Sequence, residues 1–291
     1  MANYTPINAK EDRILEGVDV WASYYRSNPH RFAADYLNVK LRLFQKILLF
    51  MMNLCNFFCY IAARGQGKSW LLAVFCCVRC ILYPGTKVCI ASGTRGQSAN
   101  ILEKIKIELI PNSVFLKNEI ENLVISSTSA YVDFKNGSSI KVVTASDTAR
   151  SNRANILLVD EFRMVDKDTI ETVLRRFLTA PRFPGYLHNK KYAHLKERNK
   201  EIYLSSAYFK SHWSFNKVKD YAKNMIDPLK KYFVCGLPYQ LSINEGLLDD
   251  EQVADEMSEA GFNETKWSIN ISVLLKPIEL MQKRCATMLW C

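Results

Sequence analysis

Residues 60–70, YIAARGQGKSW, decide how the chain is read. The run that leads into them, FFCYIAA at 57–63, is apolar without alternation and of strand length, and the residues from Lys68 to about Tyr83 carry apolar side chains at helical spacing. A strand, a glycine-bearing loop and a helix in that order make a phosphate loop. Backbone N–H groups at the helix N-terminus face the anion, a lysine reaches the outer phosphates and a hydroxyl meets the magnesium ion. Gly65 and Gly67, with Gln66 between them, permit close backbone approach; Lys68 is the lysine and Ser69 the hydroxyl. Ala62 stands where such loops usually carry their first glycine, but the inner Gly67-Lys68-Ser69 makes the contacts.

Outward from the loop, TKVCIAS (86–92) reads as a second buried strand and GQSANILEKIKIELI (96–110) as a helix. Strand, helix, strand, helix predicts a parallel sheet covered on both faces. NLVISS (122–127) and AYVDFKNGSSIKVVTA (130–145) predict a hairpin, in which Asn136-Gly137 suits the positive backbone angles of a two-residue turn. NILLVDE (155–161) is another apolar strand, ending on Asp160 and Glu161. Carboxylates at the C-terminal end of a buried strand lie where ligands sit in open parallel sheets. Asp160 is the candidate to hold magnesium, and Glu161 to polarise the water that attacks the γ-phosphate. A helix over 168–179 with Glu171 in a capping box, and a strand at EIYLSSA (201–207), follow. Upstream, 11–54 is helical with a break at SNPHRF, where Pro29 suits a first turn.

The 291 residues are 48% hydrophobic and 23% charged, ordinary globular composition with length for one or two domains. A formal charge of +10 favours a polyanionic partner. Nine scattered cysteines suit a reduced, intracellular protein, and Cys77 and Cys80 lack the second half of a zinc site. The run 47–63 has the minimum length for a membrane span, but Asn53 and Asn56 interrupt it and it enters the glycine loop, so no span is expected. Charge is uneven late in the chain: 181–231 holds 12 Lys/Arg against 4 Asp/Glu, whereas 245–264 holds 8 acidic residues and no basic one.

Five motifs in order resemble the ATPase portion of the large terminase subunit of tailed bacteriophages. LRLFQ (41–45) is similar to the family's adenine-recognition segment, ARGQGKS (63–69) to its variant phosphate loop, and FKNGSSI (134–140) to the hairpin before the acidic strand. RSNRANILLVDEF (150–162) is similar to the family's arginine followed eleven residues on by the catalytic glutamate, and YLSSA (203–207) to its coupling motif.

The resemblance implies an α/β fold: a three-layer P-loop NTPase of the additional-catalytic-glutamate type, with a mainly parallel sheet and a small C-terminal subdomain. The implied division is a helical region with the adenine segment at 1–55, the ATPase core at 56–210, a linker subdomain at 211–265 and an incomplete tail at 266–291, the family's nuclease domain being absent. The implied cofactors are ATP and Mg2+. Gln45 would read the adenine edge with Phe44 beside it, Gly65, Gln66, Gly67, Lys68 and Ser69 would hold the phosphates, and Ser69 and Asp160 the metal. Glu161, Lys68, Arg64 and Arg150 would be catalytic, with Arg64 acting in its own site, Arg150 on a neighbour's ATP and Arg153 its rival. Ser205 and Ser206 would couple hydrolysis to movement. Implied partners are double-stranded DNA gripped without regard to sequence, a portal protein, a small terminase subunit and further copies of the chain in a ring. The place of action would be the cytoplasm of an infected bacterium, at the procapsid portal, with no membrane. The rival readings are another nucleic-acid-stimulated P-loop ATPase, such as a helicase, and a prophage remnant that binds nucleotide or DNA without turnover.

Overall fold

The computed structural model describes residues 9–63, 65–144, 152–179 and 181–258. Arg64, Arg150 and the expected tail 266–291 therefore lie outside the described residues.

Three helices open the chain: α1 (Ala9–Ser27), α2 (Pro29–Asp35), which carries Pro29 in its first turn, and α3 (Leu43–Leu54). Then come β1 (Phe57–Ala62), α4 (Lys68–Leu82), β2 (Lys87–Ser92) and α5 (Arg95–Lys104), which continues as one turn of π-helix over Ile105–Leu109. The run 47–63 is thus split between α3 and β1, and among the described residues no helix is long and apolar enough to cross a membrane. After α6 (Val114–Glu119), strands β3 (Ile120–Ile125), β4 (Ala130–Phe134) and β5 (Ser139–Thr144) form an antiparallel meander. Next are β6 (Ile156–Asp160), α7 (Lys167–Thr172), β7 (Lys200–Ser205), α8 (Trp213–Met225), β8 (Tyr232–Leu237), α9 (Tyr239–Asn244) and α10 (Asp250–Ser258).

All eight strands share one sheet in the order β3-β4-β5-β2-β6-β7-β1-β8. Every pair from β5 to β8 is parallel. Burial explains why these strands show no alternation in sequence. In β1, Phe58, Tyr60 and Ala62 enter the core shared with α2, α3, α4 and α5, while Cys59 and Ile61 enter the one formed with α7 and α8. In β6, Ile156 and Leu158 face the first, Leu157 and Val159 the second. Helices cover both faces, giving three layers.

Three expectations change. The Asn136-Gly137 turn is not of the two-residue kind, because only Gly137 has positive φ (78°). The Gly137 N–H donates to Phe134 O (3.0 Å), closing one turn, and the left-handed glycine then rejoins the ladder through Phe134 N–H to Ser138 O (2.9 Å). This is the longer hairpin loop ending in a glycine bulge. The helix expected over 168–179 starts and stops early. Asp166, not Asp168, caps it by accepting from Thr169 N–H (2.9 Å), and after Thr172 the chain tightens into a 3-10 turn at Leu174–Phe177. Finally, a boundary after residue 210 would cut the sheet, since β8 pairs with β1 from Phe57↔Tyr232 to Ala62↔Leu237. From the basic stretch itself, Ile202, Tyr203, Leu204 and Tyr221 join the two cores.

Candidate active site

The phosphate loop leaves β1 at its C-terminal end. Ala62 is fully buried, still paired within the strand and outside the positive-φ residues, so nothing there demands a glycine. Gly65 (φ 82°) and Gly67 (φ 68°) do lie in the left-handed region, where a Cβ is disfavoured. At Gly65 a Cβ would also sit 3.2 Å from Leu247 O. Gly67 caps α4, whose first residues are Lys68 and Ser69, so both stand at a helix N-terminus suited to an anion.

Gln66 has a role that its place between the glycines does not reveal. Its side chain is 1% exposed, and Oε1 accepts from Tyr60 OH (2.6 Å) and Ala63 N–H (3.1 Å) while Nε2 donates to Leu237 O (3.1 Å) and Pro238 O (2.9 Å). The amide is saturated. It ties the loop to β1 and to the end of β8, leaving its backbone for a phosphate. Gln45 is buried beside the loop: its Oε1 accepts from Arg42 N–H (3.0 Å), and its Nε2 would be 3.8 Å from a Cβ placed on Gly67. Phe44 belongs to the core beneath α3.

The carboxylates come from the next parallel strand but one. β7 lies between β1 and β6, so its end delivers Ser205 and Ser206 between the loop and the acids. Ser69 Oγ donates to Asp160 Oδ2 (3.4 Å), and Asp160 Oδ1 accepts from Glu161 N–H (3.0 Å). Burial and the neighbouring Glu161 push the Asp160 carboxyl up to about 6, against the pull of Lys68. A buried carboxylate and a hydroxyl this close form an all-oxygen pair that fits a hard divalent cation, whose other positions phosphates and water fill.

Glu161 has φ 46° and ψ 49°, a left-handed conformation that costs a non-glycine residue on the order of 1–3 kcal/mol and clusters at functional sites. It turns the side chain toward the phosphate loop. Oε1 lies 3.5 Å from Lys68 Nζ and 3.5 Å from Ser206 Oγ. Oε2 accepts from Ser205 Oγ (3.1 Å), Ser206 N–H (3.3 Å) and Arg163 Nε (3.4 Å). Burial acts to raise this carboxyl, but Lys68, Ser206, Arg163 and Ser205 outweigh it and hold it below the usual range. Lys68 Nζ also donates to Ser206 Oγ (3.3 Å).

Lys68, Ser69, Asp160, Glu161, Ser205 and Ser206 thus meet in one place. Arg153 is exposed on the approach to β6. Arg163, two residues after Glu161, joins the cluster through Glu161 Oε2, and no motif in the sequence singles it out. A cavity of about 280 Å3 lined by Phe57, Arg175, Trp213, Lys217 and Tyr221 sits at the opposite end of β1, away from this chemistry.

A phosphate loop on one parallel strand, paired acids on the next but one and a hydroxyl-bearing strand between them define a P-loop NTPase. Residues 59–180, which span most of this site, match the family model described as the N-terminal part of the T4-like-virus type of terminase large subunit. The family that the motifs resemble is thereby the one whose model matches, over 122 of the 291 residues.

Solved structures agree in fold. The large terminase ATPase domain of Thermus phage P74-26 is 10% identical with a TM-score of 0.55, over 82% of this chain and 95% of that one. The bacteriophage HK97 large terminase is 16% identical with a TM-score of 0.60, over 80% of this chain and 50% of that one. A large terminase from a thermophilic bacteriophage, solved with ATP-gamma-S, is 12% identical with a TM-score of 0.51, over 81% and 53%. The chain spans about half the length of these last two proteins. A comparison with the curated proteins finds no match.

Proposed function

We propose that this chain hydrolyses ATP and couples the hydrolysis to movement of double-stranded DNA into a viral procapsid. The observation that carries the reading is the convergence of Lys68, Ser69, Asp160, Glu161 and the Ser205-Ser206 pair at the C-terminal ends of β1, β6 and β7.

Backbone N–H groups of the loop and Lys68 bind the outer phosphates. Ser69 and Asp160 would hold the magnesium ion, whose part is to neutralise charge on the phosphate oxygens. Lys68 is engaged with Glu161 at 3.5 Å. A γ-phosphate draws the ammonium away and leaves Glu161 Oε1 for water. As the bond from the water oxygen to Pγ forms, the bond from Pγ to the β,γ-bridging oxygen breaks; Glu161 takes the water proton, and ADP and phosphate depart. Ser205 and Ser206, at the end of the strand next to β1, move with that carboxylate and so link its state to the chain beyond β7. Arg64 in the same site and Arg150 from a neighbouring copy are the proposed stabilisers of charge on the transferred group, with Gln45 at the adenine. The working form on this reading is a ring on a portal protein, with a small terminase subunit as partner, in the cytoplasm of the infected cell.

A motor that grips phosphates without reading bases binds with a steep salt dependence. ATP turnover should rise on adding duplex DNA of any sequence, and duplex affinity should fall sharply between low and physiological salt. Turnover indifferent to DNA, or strong preference for one sequence, would contradict the coupling.

A further inference from the structure

The two oxygens of Glu161 are not equivalent. Oε1 faces Lys68, on the phosphate side, whereas Oε2 takes three donors from the opposite side: Ser205, Ser206 N–H and Arg163. Of these, Ser205 ends β7 and Ser206 follows it. Arg163 alone is charged, and it comes from Glu161's own turn (Phe162–Met164).

Arg163 is itself held. Its guanidinium lies over the ring of Tyr208, 5.0 Å from the centroid, and its side chain is 20% exposed. Tyr208 stands just past the end of β7 and is 40% exposed. A guanidinium over an aromatic face is restrained in orientation yet keeps its N–H edge for a carboxylate. The pair therefore joins the acid-bearing turn to the segment that leaves the coupling strand.

We infer that Arg163, seated on Tyr208, is the positioning residue that pins Oε2 of Glu161 and so presents Oε1 to the attacking water. The inference rests on the reading of Glu161 as the group that activates this water. Without Arg163 the carboxylate rotates between its serine donors and Lys68, and the bound water loses its alignment. Misplacement of a reacting group by about 1 Å costs about a hundredfold in rate. Because Arg163 makes no described contact with the loop glycines, Lys68 or Ser69, nucleotide affinity is spared.

The test compares ATP turnover, KM for ATP and ADP affinity of the full chain with those of Arg163→Ala, Arg163→Lys, Tyr208→Phe, Tyr208→Ala and Glu161→Gln. Expected for Arg163→Ala is a fall in kcat of about a hundredfold at unchanged KM and ADP affinity. Arg163→Lys restores part of the loss, Tyr208→Phe matches the parent because the ring is kept, and Tyr208→Ala falls between. The inference is overturned by a parental kcat in Arg163→Ala, by a loss of ADP affinity as large as the loss of turnover, or by equal damage from Tyr208→Phe and Tyr208→Ala. Glu161→Gln separates the two levels: parental turnover there removes the reading of Glu161 itself, whereas an inactive Glu161→Gln beside an unaffected Arg163→Ala removes only the role of Arg163.

Discussion

Two glutamates in this molecule sit between two cations each, and they do different work. Glu161 lies 3.5 Å from Lys68 and 3.4 Å from Arg163, whose side chains are 15% and 20% exposed. Glu197 meets Arg79 through two bonds, Nη2 to Oε2 at 2.7 Å and Nη1 to Oε1 at 3.2 Å, with Arg182 at 3.3 Å. Both of those arginines are 3% exposed. Long contacts to cations that keep some exposure are exchanged more readily for a phosphate or a water. A bidentate pair with buried guanidiniums is not, since separating it leaves a charge without solvent. On the proposed reading the first cluster rearranges when nucleotide binds, whereas the second fastens the segment after Pro181 to the last turn of α4.

The second cluster should therefore give the larger stability effect when broken. Glu197→Gln leaves Arg79 and Arg182 buried without a counter-charge and should cost about 3–5 kcal/mol, read as a lowered denaturant midpoint. A loss below 1 kcal/mol would mean that the cluster is wetter than its geometry.

Acid sharpens the same contrast. Burial alone would raise the Glu197 carboxyl, but Arg79, Lys200 and Arg182 hold it at about 2, below its ordinary 4.5. A depressed carboxyl contributes stability that is present above pH 4.5 and lost as pH falls toward 2. The contribution is about 3 kcal/mol. Unfolding midpoints of the parent should drop through that window, and those of Glu197→Gln should drop less.

Gln66 gives the smallest effect, although it stands inside the phosphate loop. Gln66→Ala strips partners from Tyr60 OH, Ala63 N–H, Leu237 O and Pro238 O. It should cost about 1–3 kcal/mol and weaken ADP binding, measured by calorimetry, because the loop loses its tie to β8. Unchanged stability and affinity would remove that tie.

The difference between the clusters is also a difference in what the sequence discloses. Glu161 was legible because local order carries it: an apolar strand ends, and the acids follow where a parallel sheet presents its ligands. The glycines, Lys68 and Ser69 were legible for the same reason, and so was the layered sheet. Arg79 and Glu197 are 118 residues apart, and Arg79 sits in a helix whose neighbours are all apolar, so nothing local announces the pair. The basic stretch 181–231 stands out only by its charge count, yet Arg182 is buried in this cluster. Lys200 is 2% exposed, its Nζ donating to Asn53 O and Cys55 O at 2.7 Å. Charge counts cannot separate solvated cations from those that fold-level packing consumes. The hairpin failed at finer grain, because Asn136-Gly137 suits more than one turn and only the backbone shows which.

The most direct measurement sets the two glutamates side by side: ATP turnover with duplex DNA, and the unfolding midpoint, for Glu161→Gln and Glu197→Gln. The account predicts that Glu161→Gln keeps the parental midpoint and binds ADP but loses turnover by several orders of magnitude. Glu197→Gln should lose stability while its folded fraction still turns over ATP. Parental turnover in Glu161→Gln would contradict the assignment of the active site.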